Sequence, residues 1–163
     1  MNKPRIVIVD ENDEIITHKK RGTLVKSDIY RVSALWVKNS NGDILLAQRK
    51  FTKSHDLGKW GPAVAGTIDE GETYEQNIIK EAEEEIGLKN IKPVLGPKVR
   101  MTDEYNYFDQ WYTLTADKPA DEFVIQEDEV EQVKWFKRAD LEKELHENPE
   151  KYLKGLLWPL ENL

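Results

Sequence analysis

Glu81, Glu84 and Glu85 stand at i, i+3 and i+4 in a stretch with helical patterning. On a helix, that spacing puts three carboxylates on one face within about one turn. Like charges so arranged repel one another unless something positive sits among them. Hard divalent cations take oxygen ligands and commonly combine one or two carboxylates with substrate phosphates. A carboxylate ridge on a rigid helix therefore suits metal-assisted chemistry at a phosphate. Solvation is the alternative, because Glu-rich helix faces are often simply exposed. Two neighbouring features argue against it. A loop rich in glycine and acid, Gly66 to Glu72, leads into the helix, and Gly87 followed by Leu88 ends it.

The helix that must carry the ridge runs from Thr73 to Ile86. Thr73 can cap it, with Gln76 as the reciprocal partner of a capping box. Ile78, Ile79, Ala82 and Ile86 form its apolar stripe, and Gly87 is a favoured stop. Strands are expected at Arg5–Val9, Tyr30–Lys38 and Ile44–Arg49, with Asn39 to Gly42 as the turn between the last two. Phe51 to Gly61 reads as a loop, and Ala63 to Gly66 as a short buried strand. Further strands are expected at Val94–Met101, Tyr105–Thr115 and Glu129–Phe136, then a helix over Arg138–Glu147. A last helical turn or two over Tyr152–Leu157 should stop near Pro159. Hairpins outnumber βαβ units, which favours an α+β fold or an α/β/α sandwich with a mixed sheet.

Composition narrows the options. The 163 residues suit one domain. With 0 cysteines, disulfides, thiolate metal sites and thiol catalysis are excluded. The 31 acidic and 24 basic residues leave a net charge of −7, which disfavours a nucleic-acid partner. Seven glutamates fall within the sixteen residues from Glu70 to Glu85, against Lys80 as the one base. The opening residues lack a signal-peptide layout, and no apolar run approaches the ~20 residues of a membrane span. The expected location is the cytoplasm.

The segment 66–88 resembles the Nudix box: Gly, five residues, Glu, seven residues, Arg-Glu, an aliphatic, any residue, Glu-Glu, any residue, Gly, an aliphatic. Gly66, Glu72, Glu81, Glu84, Glu85, Gly87 and Leu88 occupy their positions, and Ala82 is an acceptable aliphatic. Lys80 stands where the family has Arg; it keeps the charge but not the bidentate fork. Asp10 to Glu14, Gly42 to Arg49, Gly58 to Trp60 and Glu129 to Phe136 are similar to Nudix sequence as well. The likeness is strongest to the branch holding type I isopentenyl-diphosphate isomerase and its hydrolase relatives. It implies a single Nudix domain over residues 1–163, with a Nudix-type α/β/α sandwich.

The resemblance also implies roles. Glu84 and Glu85 would be the principal ligands of Mg²⁺ or Mn²⁺, Glu81 a further ligand or water-activating base, and the carbonyl of Ala65 part of the metal shell. Glu72 would be held by Lys80 and organise the loop. In the isomerase a catalytic cysteine and a metal-binding histidine flank the motif glycine; here those positions are Ala65 and Thr67. Another metal histidine would fall near Tyr30 and an acidic pair near Phe108 to Gln110. The match is thus to the isomerase scaffold and not to its site. The expected activity is hydrolysis of a nucleoside diphosphate linked to another group.

Glu127, Asp128 and Glu129 are candidates for an auxiliary acid, with Glu129 preferred. Arg49 and Lys59 could hold phosphate, His55 could touch substrate, and Tyr105, Tyr107, Phe108 or Trp111 could stack on a base; Arg49, Lys59 and Tyr107 are taken as the substrate-binding set. Trp36, Trp60, Trp135 and Trp158 are expected to pack. The expected partner is a small-molecule diphosphate, and a homodimer is compatible with the sequence. The rival readings are a binding or regulatory module on a degenerate hydrolase fold, a structural domain with an acidic surface helix, and an isomerase-like enzyme.

Overall fold

In the computed structural model, which describes residues 4–163, one long strand organises the sheet. Strand β3 (Ile29–Lys38) runs parallel to β8 (Tyr107–Thr115) along its whole length, from Tyr30 opposite Tyr107 to Lys38 opposite Thr115. Its other edge is shared by three antiparallel partners. β1 (Arg5–Val9) pairs at Tyr30, β6 (Val64–Thr67) pairs from Val32 to Leu35, and β4 (Ile44–Arg49) pairs at Val37 and Lys38. β2 (Ile15–Lys20) extends the sheet beyond β1, β7 (Val94–Met101) beyond β8, and β5 (Trp60–Pro62) and β9 (Val130–Phe136) flank β4. Parallel and antiparallel pairs coexist, as expected for a mixed sheet.

Both faces of β3 are covered. Leu35 and Val37 pack with Val64, Ile78, Ala82 and Ile86 under helix α1 (Tyr74–Ile86). Ala34 and Trp36 pack with Ile44, Leu46 and Trp111 on the other face, beneath α2 (Arg138–Glu147) and α3 (Leu157–Asn162). Two apolar cores back to back make the central strand a nearly continuous hydrophobic run. This is the α/β/α sandwich that the sequence predicts.

Helix α1 forms as its signals dictate. The Thr73 side chain accepts from Gln76 N–H at 3.1 Å, and the Gln76 side chain accepts from Thr73 N–H at 2.9 Å. Gly87 adopts φ +70° and closes the helix on the Glu83 carbonyl. Ile78, Ala82 and Ile86 are fully buried, and each large side chain contributes roughly 1.5–3 kcal/mol.

Three elements differ from the sequence reading. β2 was not anticipated: Ile15 and Ile16 are both exposed, so its residues show no core-facing alternation. The strand exists through backbone pairing with β1 around a turn in which Asp10 Oδ1 accepts from Asn12 N–H and Glu14 N–H. The expected loop 51–61 ends in β5, because Gly61 and Trp60 pair with Ala47 and Gln48. In the tail, Tyr152 pairs with Trp60 instead of starting a helix, and α3 begins only at Leu157. Pro159 lies inside its first turn, where a missing N–H costs nothing. Among the described residues, no helix is long and apolar enough to cross a membrane.

Candidate active site

The site begins where β6 meets α1. A Cβ on Gly66 would lie 2.6 Å from Glu81 Cγ and 2.8 Å from Asn77 Oδ1. Only glycine lets the strand backbone approach the helix so closely. Asn77, fully buried, staples the two together. Its amide donates to the Thr67 carbonyl at 3.2 Å and to Glu72 Oε2 at 2.9 Å, and its Oδ1 accepts from the Ser33 hydroxyl at 2.6 Å. Sequence reasoning missed Asn77. Its one signal is a polar residue beside Ile78 on the buried side of the helix.

Lys80 joins the loop to the ridge. Its ammonium lies 2.5 Å from Glu72 Oε1, 3.5 Å from Glu81 Oε1 and 3.8 Å from Asp69 Oδ2. Glu72 also accepts from Asp69 N–H at 3.1 Å. Burial works to raise the Glu72 pKa, but the bonds from Lys80, Asn77 and the backbone outweigh it and leave the carboxyl below its ordinary value. For Lys80, burial pulls downward, and the surrounding carboxylates more than reverse it.

The ridge acids differ in environment. Glu84 is exposed, whereas Glu81 and Glu85 are half-buried. Burial raises the Glu81 pKa; Lys80 opposes this and Glu84 adds to it. Glu85 is pushed up to about 8, by burial first and then by the charges of Glu81 and Glu129, with Lys53 and Arg49 offsetting part. Glu129, just before β9, pairs with Lys53. Glu85, Glu129, Ala65 and Arg49 line one cleft. Among the described residues, no three Asp, Glu or His side chains are gathered into a ready-made metal cage. The acids form a ridge beside the cleft.

Arg49 and Ala65 also line a neighbouring cavity of about 240 Å³, with Tyr30, His55, Tyr107 and Lys154. The Tyr30 and Tyr107 rings stack there at 5.4 Å. Arg49 Nε is buried and has no hydrogen-bond partner among the described residues. Lys59, grouped with Arg49 in the sequence reading, does not line this cavity; it is held 3.0 Å from Asp56, which does. Trp36 meets Trp111 edge-on at 6.1 Å, and Trp60 meets Phe136 edge-on at 5.1 Å, so these tryptophans pack as expected.

The α/β/α sandwich thus carries, at its β6–α1 junction, glutamates buttressed by Lys80 and Asn77 beside a cleft lined by Arg49 and stacked tyrosines. The NUDIX domain model matches residues 29–156, and the chain belongs to the Nudix family as a hydrolase acting on pyrophosphate bonds. It is 24% identical over 138 residues to an uncharacterized Nudix hydrolase of Listeria monocytogenes, spanning 83% of this chain and 80% of that protein. It is 26% identical over 163 aligned positions to the isopentenyl-diphosphate Delta-isomerase of Aliivibrio fischeri, spanning 90% and 87%. The crystal structure of a Deinococcus radiodurans protein superimposes with a TM-score of 0.81 at 22% identity, over 96% of this chain and 97% of that one.

Proposed function

We propose that this enzyme hydrolyses the diphosphate bond of a nucleoside diphosphate linked to another group, with Mg²⁺ or Mn²⁺. The observation that carries the reading is that Glu85 and Glu129 line one cleft with Ala65 and Arg49, while Glu81 stands one turn earlier on the helix that carries Glu85. Burial and mutual repulsion hold the Glu85 carboxyl well above its ordinary range. Such a cluster is relieved by a cation, and an all-oxygen donor set suits a hard one. When bound, a divalent ion neutralises phosphate oxygens and acidifies the attacking water.

The chain's own residues then divide the work. Glu84 and Glu85 would hold the metal, with the Ala65 carbonyl as a further ligand. Glu81, kept in place by Lys80 and by the close packing on Gly66, is a further ligand or takes the proton of the attacking water. Glu129 supplies the auxiliary acid once Lys53 yields it. Arg49 offers its unpartnered Nε–H to a phosphate oxygen, and Tyr107 borders the group carried on the diphosphate. Residues 1–163 act as one domain. The absence of any cysteine removes the proton-transfer residue that the isomerase resemblance would require.

The test is cleavage of a panel of nucleoside diphosphate derivatives into a nucleoside monophosphate and the phosphorylated second group, under Mg²⁺ and Mn²⁺. Metal-dependent turnover that Glu84→Gln and Glu85→Gln abolish, with folding intact, supports the reading. No turnover across the panel would favour a binding module, and conversion of isopentenyl diphosphate to its isomer would restore the isomerase.

A further inference from the structure

Among the described residues, five polar or charged ones are buried: Ser33, Asp69, Asn77, Asp109 and Gln110. Four have partners. Ser33 bonds Asn77, Asn77 also bonds Thr67 and Glu72, Asp69 receives Arg21 at 3.2 Å, and Gln110 donates to the Gly96 carbonyl at 2.8 Å. Asp109 is the exception: its Oδ1 is buried without a hydrogen-bond partner among the described residues. A buried acceptor left unsatisfied is costly, and native folds rarely keep one without a use for it.

The position of Asp109 indicates what that use is. On β8 it lies between Tyr107 and Trp111 along one face, opposite Val32 of β3 and Val99 of β7. These residues line a recess of about 100 Å³ closed by Leu156 and Trp158 of the tail. The recess shares Val32, Ala65, Met101, Tyr107, Leu153 and Lys154 with the larger cavity that Arg49 lines. The recess thus adjoins the cavity that Arg49 lines and sets a carboxyl among mostly aromatic and aliphatic walls, with Lys154, which lines both, paired to Glu104 at 3.2 Å. Flat walls suit a planar ring, and an acceptor without a donor suits an amino group.

We propose that Asp109 is a specificity-determining residue that accepts a hydrogen bond from the exocyclic amino group of a planar heterocycle carried on the substrate's diphosphate. This rests on the proposed hydrolase reading and names the chemistry of the group attached there. Amino-bearing nucleobases are favoured over rings that present only carbonyls or C–H at that edge, because a carboxylate facing either keeps its unpaired acceptor. A hydrogen bond to a charged acceptor corresponds to roughly a ten- to hundredfold preference, expressed where the Asp109 carboxyl is ionised, above about 7.

Matched pairs that differ by one amino group test this: adenosine diphosphate against purine riboside diphosphate, and cytidine diphosphate against its 4-deamino analogue. Binding is measured by calorimetry in EDTA and turnover under Mg²⁺, for the wild type, Asp109→Leu and Asp109→Asn. The wild type should prefer the amino member of at least one pair by about ten- to hundredfold. Asp109→Leu should erase that preference by weakening the amino member alone, and Asp109→Asn, which keeps one acceptor oxygen, should retain part of it. Equal binding of both members by the wild type overturns the proposal, as does an equal loss of both in a folded Asp109→Leu. Binding preference without hydrolysis of either member upholds the recess and counts against the hydrolase reading instead.

Discussion

The ammonium of Lys80 lies 2.5 Å from Glu72 Oε1 and 3.5 Å from Glu81 Oε1, so a single cation ties the acidic loop to the glutamate face of α1. The motif's one departure therefore still makes the connection that its charge requires, although as a point contact without a planar fork. Lys80→Arg should leave activity within a few-fold of wild type. Lys80→Met should lower kcat/KM by about tenfold or more, because Glu72 and Glu81 lose their shared counter-charge. Steady-state kinetics on the three proteins distinguish these outcomes.

Gly66→Ala places a methyl group 2.6 Å from Glu81 Cγ. The Glu81 side chain is more easily displaced than the strand, so the lesion should be larger in activity than in stability. We expect about a hundredfold loss in kcat with a fall in Tm of only a few degrees, read by kinetics and thermal melting of the same preparation.

Asn77→Ala removes the bonds to Thr67, Glu72 and Ser33 at once. Several buried polar partners are then left unsatisfied, each at a cost of about 1–3 kcal/mol. For a domain of this size each kcal/mol lowers Tm by about 2–4 °C, so a drop of several degrees with weakened metal dependence is expected in calorimetric melts.

The half-buried Asp13 and the buried Asp109 should move stability with pH in opposite senses. Asp13 is held below its ordinary value; burial alone would raise it, but Lys98 at 2.5 Å and Arg31 at 2.6 Å prevail. A depressed pKa contributes stability that is present above the unfolded-state value and lost as pH falls through the folded one. Asp109 is raised by burial to about 7. Its contribution is present below its unfolded value and lost as pH rises towards and past about 7. Metal-free Asp13→Asn should therefore lose its deficit relative to wild type in acid, whereas Asp109→Asn should gain on wild type between pH 5 and pH 8. Melting curves from about pH 2 to about pH 8 decide both, the acid end for Asp13 and the neutral end for Asp109.

Much of this protein is written locally. The capping box at Thr73 and Gln76, the left-handed stop at Gly87 and the stripe through Ile78, Ala82 and Ile86 are contacts between near neighbours in the chain, so residue types and spacing sufficed to predict α1 and its glutamate face. The same holds for β3 and β4, whose apolar runs reflect burial on both sides. β2 escaped because an exposed strand held by backbone pairing leaves no periodic side-chain trace.

What only the tertiary structure decided involves residues far apart in sequence. The parallel register of β3 on β8 sets Tyr30 against Tyr107 and Val32 against Asp109, and no local pattern encodes a pairing across so many intervening residues. The tail, by packing Leu156 and Trp158 over that face, turns an acid in an aromatic strand into the floor of a recess. Likewise Lys59 and Arg49 look alike in sequence, yet Asp56 holds one while the other lines the cleft. Burial and pairing are properties of the assembled chain, and they determine which of two like residues is free to meet a substrate.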